Sequence, residues 1–213
     1  MSNYHFDLPY GSLLNYIPKK TYPQVVLSRD VVDKVKSGNE KVIGQIIDLV
    51  DTREQASSLK DFLTPDSLLI PVPRRSLIKS DSVWPSKIIA KELMKKGYGS
   101  ALKTTIDRTE PIRKSSSQAG EDRPTVKEHL ETLGLVLPAE LTDPKTIILV
   151  DDVVTQGSVS VACAELLKQI YPDAEIKIFA IAKTKGFGDE EFNTFEPHVG
   201  SIRYYISGKT FRE

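Results

Sequence analysis

The chain carries two adjacent acids and a short run of small polar residues directly after an apolar segment. Asp151 and Asp152 follow the apolar residues Thr146–Val150, and Thr155–Ser158 come next, before apolar residues recur at helical spacing. Paired carboxylates can accept hydrogen bonds from the vicinal hydroxyls of a sugar, or hold a magnesium ion that a ligand already bridges. Free amides at the start of a helix bind phosphate. The segment therefore predicts a site for a sugar phosphate.

The small residues of this segment have individual predicted roles. Gly157 lacks the Cβ that would keep a phosphate from the backbone, while Thr155 and Ser158 add hydroxyl donors. The structural alternative is that Asp152 only caps the helix and Gly157 only turns the chain, which is a common use of such residues. The phosphate interpretation is favoured because the apolar strand, the doubled acid and the hydroxyl-flanked glycine occur in one context.

A pair of arginines follows another apolar run. Arg74 and Arg75 come after Leu68–Val72 and a proline. Ligands of open α/β sheets bind at the carboxyl ends of the strands, and a guanidinium group binds phosphate through two parallel hydrogen bonds. We therefore expect the pair to bind phosphate groups of a ligand, the alternative being that both are ordinary surface cations.

A polar stretch, Asp107–Lys127, lies between these two segments. Before its end at Lys127 it contains four cations, Arg108, Arg113, Lys114 and Arg123. A loop of this length inside a compact domain is usually functional or disordered. It is either a mobile lid whose cations meet an anionic ligand on closure, or a solvated linker.

The elements that must position these residues alternate between strand and helix. Thr146–Val150 and Ile176–Ala182 are apolar on both faces, as in a parallel sheet covered by helices, and the helical spacing between them completes a β-α-β unit. Leu68–Val72 predicts a further strand, a helix begins near Pro85, and Ile202–Ile206 predicts a final edge strand. The fold class is α/β, a parallel twisted sheet flanked by helices.

The N-terminal part has a different pattern. The first thirty residues are rich in proline and tyrosine and predict an extended or looped lead-in. Apolar residues at helical spacing over Asp30–Asp51 are interrupted at Gly38-Asn39, which indicates two helices. His129 is far from the other histidines, so a zinc site is not supported and local capping or packing is expected.

Bulk composition excludes several other classes. The 213 residues suit one α/β domain with a modest extension, and the net charge of zero gives no basic excess for nucleic-acid binding. A lone cysteine, Cys163, excludes an intrachain disulfide. Met1–Tyr10 lack the features of a signal peptide, and the apolar runs are far shorter than the ~20 residues that cross a membrane. We therefore expect a soluble cytoplasmic protein with small-molecule partners.

The segment Val150–Val159 resembles the signature of the type I phosphoribosyltransferases, an apolar strand followed by Asp-Asp-Val-x-Thr-x-Gly-x and a helix. In that family the acids contact the ribose hydroxyls of 5-phosphoribosyl pyrophosphate (PRPP), and the turn binds its 5′-phosphate. The resemblance implies ribose contacts for Asp151 and Asp152. The 5′-phosphate contacts that it implies are Thr155, Gln156, Gly157, Ser158 and Val159. Many members have hydroxyl residues at the positions of Gln156 and Val159, and the orotate enzymes have one at the position of Ser158.

The resemblance extends to other segments. Ile70–Arg75 is similar to the pyrophosphate loop of the ComF-like branch, and Arg108–Val126 is similar to the flexible loop of the family. The resemblance implies a core over residues 67–213, with residues 1–66 as lead-in and helices that form part of a small variable hood. The four-cysteine zinc module of ComF proteins is absent, because Cys163 is alone.

The activity that the resemblance implies is magnesium-dependent transfer of the 5-phosphoribosyl group from PRPP to a nitrogen acceptor such as a nucleobase, with release of pyrophosphate. The catalytic groups that it implies are Asp151, Asp152, Arg74 and Arg75. The loop cations that it implies are Arg108, Arg113 and Lys114. Two alternatives stay open: a non-catalytic PRPP-binding regulator, and a ComF-like accessory protein. Homodimers are common in the family.

Overall fold

A computed structural model describes residues 4–18, 23–77, 82–113, 123–136, 143–186 and 192–213. The strands are β1 (Tyr4–Tyr16), β2 (Leu68–Pro71), β3 (Ala101–Leu102), β4 (Ile106–Arg108), β5 (Leu133–Leu135), β6 (Thr146–Val154), β7 (Glu175–Thr184), β8 (Phe195–Tyr205) and β9 (Thr210–Arg212). The helices are α1 (Pro23–Lys36), α2 (Glu40–Thr52), α3 (Ser57–Phe62), α4 (Pro85–Lys95), α5 (Val126–Glu131) and α6 (Ser158–Lys168), and a 3₁₀ turn covers Glu54–Ala56.

In the part of the chain that the structure describes, the central sheet has seven strands in the order β3-β2-β6-β7-β1-β8-β9. The first five are parallel to one another, whereas β8 and β9 are antiparallel to their neighbours. Apolar side chains of β6 alternate between two cores: Ile148 and Val150 pack with α1–α4, and Ile147 and Leu149 pack with α5 and α6. Helices therefore cover both faces of a mostly parallel sheet, and the α/β fold class is confirmed.

The N-terminal segment is part of this sheet. β1 lies between β7 and β8, and Tyr10 pairs with Ile178 on one side and Gly200 on the other. Of the two forms predicted for this region, extended or looped, the structure has the extended one, as a strand over Tyr4–Tyr16 inside the sheet. Pro9 and the buried polar residue Ser12 interrupt its apolar pattern, which is why the sequence gives no strand signal.

Strand boundaries differ from expectation at two further places. β6 continues to Val154, because its pairing with β7 extends to Lys183, so the two acids lie within the strand and not after it. The strand predicted as the sheet edge is β8, and the edge position belongs to the short strand β9. Three residues with Thr210 and Arg212 at the ends have too little apolar periodicity to predict a strand.

The helices begin and end close to the predicted positions. α1 and α2 are separate helices, and Asn39 caps α2 by accepting a hydrogen bond from the Val42 amide at 3.1 Å. α4 begins at Pro85, which needs no amide partner in the first turn. Within the part of the chain that is described, no helix has the length and apolar character needed to cross a bilayer.

The polar stretch Asp107–Lys127 is not one continuous loop. Arg108 belongs to β4, which pairs with β5 in a separate two-stranded sheet, and the stretch ends inside α5. A reciprocal pair of hydrogen bonds between Thr125 and Glu128 caps α5. Residues 114–122, including Lys114, lie outside the described residues.

The position of β1 inside the sheet leads to a stability prediction. Gly11 is buried, and a Cβ there would lie 2.5 Å from Cδ2 of Leu59 in α3. Gly11→Ala should lower the free energy of unfolding by about 1–3 kcal/mol, because the packed core cannot accept another methyl group. Gly186→Ala is the control, since that site is open, and it should stay within roughly 0.5 kcal/mol of wild type. Urea titration measures both, and equal stability of the two variants would contradict the packing of β1.

Candidate functional site

A cavity of about 630 Å³ opens beside the carboxyl ends of β1, β2 and β6. Asp151, Asp152 and Thr155 line it from β6 and the following turn, and Arg74 and Arg75 line it from the segment after β2. Small-molecule sites usually have volumes of roughly 300–1,000 Å³. The structure therefore brings the predicted acids and the predicted arginine pair to one cavity of ligand size.

Asp151 is the more buried of the two acids, with 8% of its surface exposed. Its Oδ1 accepts hydrogen bonds from the Asp152 amide at 2.8 Å and from the Ser86 hydroxyl at 3.3 Å. Burial, and then the neighbouring charge of Asp152, raise the pKa of Asp151 well above its ordinary value. A cation or a set of hydroxyl donors at this position would favour the ionised form.

The turn Thr155–Gly157 leads directly into α6. Among the described residues no side chain caps this helix, and Oδ1 of Asp152 accepts from the Val153 amide at 2.9 Å instead. Within the described residues, no acceptor pairs with the amides of Thr155–Ser160. The alternative in which Asp152 merely caps the helix is therefore wrong. These free amides stand at the positive end of the helix dipole, which suits an anion.

Gly157 is required for a reason that differs from the predicted one. Its φ is 87°, in the left-handed region, and a Cβ would lie 2.4 Å from Cδ1 of Ile202 in β8. The glycine thus permits the turn and its packing on β8. The Ser158 hydroxyl lies 3.1 Å from the Thr210 hydroxyl. Thr155 and Val159 line the cavity, whereas Gln156, Gly157 and Ser158 are not among its lining residues.

Arg108 lies at the cavity on β4 and not on a loop. It is 3% exposed, and its guanidinium donates to the Arg74 carbonyl at 3.0 Å and to the Thr132 hydroxyl at 2.6 Å. Burial lowers the pKa of Arg108. Within the described ranges, no carboxylate forms an ion pair with it. A buried cation without an acidic partner is costly unless an anion joins it.

Arg113 also lines the cavity, but its ion-pair partner Glu128 is not among the lining residues. Its guanidinium forms an ion pair with Glu128, which also caps α5. The hydrogen bonds from Arg113 and from the Thr125 amide lower the pKa of Glu128 to about 2. Arg113 is therefore linked to the start of α5.

His129, for which local capping or packing was expected, lines the cavity. It is 4% exposed, and Nδ1 has no hydrogen-bond partner within the described residues. Burial and the nearby charge of Arg108 lower its pKa to about 4, so the ring is neutral at neutral pH. A lone histidine in a six-residue helix gives no spacing signal.

No protein-family model matches the chain, and no curated protein matches it. Among solved structures, a hypoxanthine phosphoribosyltransferase from Staphylococcus aureus is similar with 15% sequence identity and a TM-score of 0.36. The likeness covers 73% of this chain and 71% of that chain. The interpretation of the site rests on the geometry described above and not on this likeness.

The raised pKa of Asp151 predicts a difference in stability with pH. An acid whose pKa is raised by folding favours the folded state below its unfolded pKa of about 3.9, and this contribution is lost as pH rises through the folded value. Asp151→Asn removes the charge and keeps an oxygen acceptor. It should therefore raise the melting temperature at pH 7.5 by a few degrees, since each kcal/mol corresponds to roughly 2–4 °C.

The difference between Asp151→Asn and wild type should shrink as pH falls toward 4. Asp61→Asn is the matched control, because Asp61 is exposed and outside the cavity. Scanning calorimetry at several pH values measures both variants. A lower melting temperature for Asp151→Asn than for wild type at pH 7.5 would show that ionisation of Asp151 does not destabilise the folded state.

Proposed function

We propose that the chain is a phosphoribosyltransferase, which transfers the 5-phosphoribosyl group from PRPP to a nitrogen acceptor and releases pyrophosphate. The observation that carries the proposal is that Thr155 and Val159, which flank the uncapped start of α6, line the same cavity as Asp151 and Asp152. A phosphate and a diol, linked through one sugar, match these two sets of groups.

The 5′-phosphate of PRPP is assigned to the turn after β6, and the ribose is assigned to the two acids near the end of β6. The amides from Thr155 onward donate to the 5′-phosphate, as free amides at a helix start do for anions. Asp151 and Asp152 accept hydrogen bonds from the ribose 2′ and 3′ hydroxyls. The resemblance of Val150–Val159 to the family signature gives the same assignment. In this assignment Gln156, Gly157 and Ser158, which do not line the cavity with their side chains, contact the 5′-phosphate through their backbone amides.

The pyrophosphate is assigned to the arginines on the other side of the cavity. Arg74 and Arg75 follow β2, and Arg108 supports them through its hydrogen bond to the Arg74 carbonyl. Guanidinium groups bind phosphate oxygens in pairs. The buried charge of Arg108 gains an anionic partner when the ligand binds. Arg113 and Lys114 stay assigned to a loop that closes over the pyrophosphate and excludes water.

The residues at the cavity fit magnesium that arrives with the ligand. Magnesium prefers oxygen ligands and is usually held by one or two carboxylates together with substrate phosphates. Asp151 and Asp152 supply carboxylate oxygens, and within the described residues no group of three ligating side chains forms a complete site. When bound, the ion would neutralise charge on the pyrophosphate.

In the proposed reaction, the protein mainly positions the reactants and stabilises the charge that develops on them. The bond between ribose C1 and the pyrophosphate oxygen breaks, and the bond between C1 and the acceptor nitrogen forms. Positive charge develops on the ribose ring near Asp151 and Asp152, and negative charge leaves with the pyrophosphate toward Arg74 and Arg75. Fixed groups of opposite charge at both places lower the barrier.

The acceptor is assigned to the part of the cavity that residues 1–66 line. Tyr16 reaches it from the end of β1, and Arg29, Asp33 and Lys36 reach it from one stripe of α1. We assign α1 to the hood, whereas β1 belongs to the central sheet together with strands of residues 67–213. Tyr16 and α1 thus provide aromatic and charged groups next to the site where C1 would lie.

Calorimetric titration with PRPP and magnesium tests the proposal, followed by a screen of nucleobases for pyrophosphate release. Wild type should bind PRPP and release pyrophosphate with one or more acceptors. Asp152→Asn should weaken PRPP binding roughly tenfold to a hundredfold, because a hydrogen bond to a charged group contributes about 1.5–3 kcal/mol. Asp61→Asn is the control and should bind like wild type.

The same experiment separates the alternatives. PRPP binding without pyrophosphate release on any acceptor would identify a PRPP-binding regulator. A wild-type protein that does not bind PRPP in the presence of magnesium would contradict the proposed function.

A further inference from the structure

The turn before α6 is held by residues that are distant from it in sequence. Ile202 of β8 and Thr210 and Arg212 of β9 all contact it or its immediate neighbours. We call these three residues the hairpin clamp. They reach the turn from the side of the antiparallel strands β8 and β9.

Arg212 holds the ends of two parallel strands together. Its Nη1 donates to the Val154 carbonyl at 2.7 Å, and its Nη2 donates to the Thr184 carbonyl. These carbonyls belong to the last residues of β6 and β7, where the parallel ladder ends. Val154 precedes the first residue of the turn, so one guanidinium fixes where the turn departs from the sheet.

The charge of Arg212 is also placed close to the turn. Its side chain is half-buried, lies 5.8 Å from the centre of the Tyr10 ring, and forms no ion pair with a carboxylate in the described ranges. Burial and the nearby charge of Arg123 lower the pKa of Arg212. A cation next to free amides strengthens the positive potential that an anion meets there.

Thr210 controls the hydroxyl of Ser158. The two hydroxyl oxygens lie 3.1 Å apart, and either could donate. A hydroxyl has one proton to donate. An anion in the turn favours the arrangement in which Thr210 donates to Ser158, because the Ser158 proton is then free to point at the anion.

Ile202 fixes the middle of the turn. Its side chain packs so closely on Gly157 that a Cβ there would lie 2.4 Å from Cδ1. Ile202 is fully buried. The turn therefore has contacts to the clamp at its start, its middle and the first residue of α6, and little freedom to rearrange before a ligand binds.

We infer that the hairpin clamp sets the geometry of the turn for binding phosphate, and that Arg212 and Thr210 are positioning residues for the phosphate end of the ligand. The inference rests on the proposed function and adds to it the part played by β8 and β9. A positioning role at this end has a specific consequence. Loss of the clamp weakens binding of ribose 5-phosphate and leaves binding of pyrophosphate unchanged, because pyrophosphate is assigned to Arg74 and Arg75.

The test compares two probes, ribose 5-phosphate and magnesium pyrophosphate, by calorimetric titration of the full chain. Arg212→Met and Thr210→Val should each weaken ribose 5-phosphate binding about tenfold, the loss expected for one hydrogen bond of about 1.4 kcal/mol. Thr210→Ser keeps the donor and should restore wild-type affinity. Phe211→Ala is the control, because Phe211 lies between the two residues on β9 and is exposed.

A reciprocal variant separates positioning from general destabilisation. Arg108→Met should weaken pyrophosphate binding about tenfold and leave ribose 5-phosphate binding within about twofold. A role that is merely structural would change both affinities together in Arg212→Met. If Arg212→Met does not fold, as judged by thermal melting, Thr210→Val against Thr210→Ser carries the test.

The outcomes distinguish the inference from the function on which it rests. Equal losses for both probes, or unchanged ribose 5-phosphate binding in Arg212→Met and Thr210→Val, overturn the hairpin clamp while the proposed function stands. A wild-type protein that binds neither ribose 5-phosphate nor PRPP overturns both.

Discussion

The free amides where α6 begins are the constraint on which the site depends. Backbone donors without partners are costly when they are withdrawn from water, and here no side chain caps them within the described residues. They stand beside Asp151 and Asp152, whose charges would repel a bare phosphate. A ligand satisfies both the amides and the carboxylates only if its phosphate lies apart from the groups that meet the acids. Those groups can be hydroxyls or a bound metal ion. A phosphorylated sugar meets this condition.

Acidic and basic side chains also lie on opposite sides of the rest of the cavity. The acids lie at the end of β6, and burial makes Asp151 resist ionisation. The cations Arg74, Arg75 and Arg108 lie on the side of β2 and β4, and Arg108 is buried without an acidic partner in the described ranges. A ligand that bridges the two sides relieves the cost on each. This separation of buried charge is costly to the fold, which is typical of binding sites built for charged ligands.

Much of this arrangement could be predicted from the sequence because it is local. The apolar runs of β6 and β7 fix a β-α-β unit, and parallel strands bring their carboxyl ends to one edge, so Asp151 and Arg74 were expected to meet. What could not be predicted depends on distant partners. β1 is a strand only because β7 and β8 flank it, and Arg212 meets Val154 only through the hairpin of β8 and β9. The reason for Gly157 likewise lies in Ile202.

Nuclear magnetic resonance of the ¹⁵N-labelled chain tests the central claim most directly, because it observes the amides themselves. On titration with ribose 5-phosphate, the amide proton resonances of Gly157, Ser158 and Val159 should move downfield, as they gain hydrogen bonds to an anion. Amides of α2, on the other side of the molecule from α6, should not move. Binding of ribose 5-phosphate that leaves the resonances of Gly157–Val159 unchanged would contradict the account.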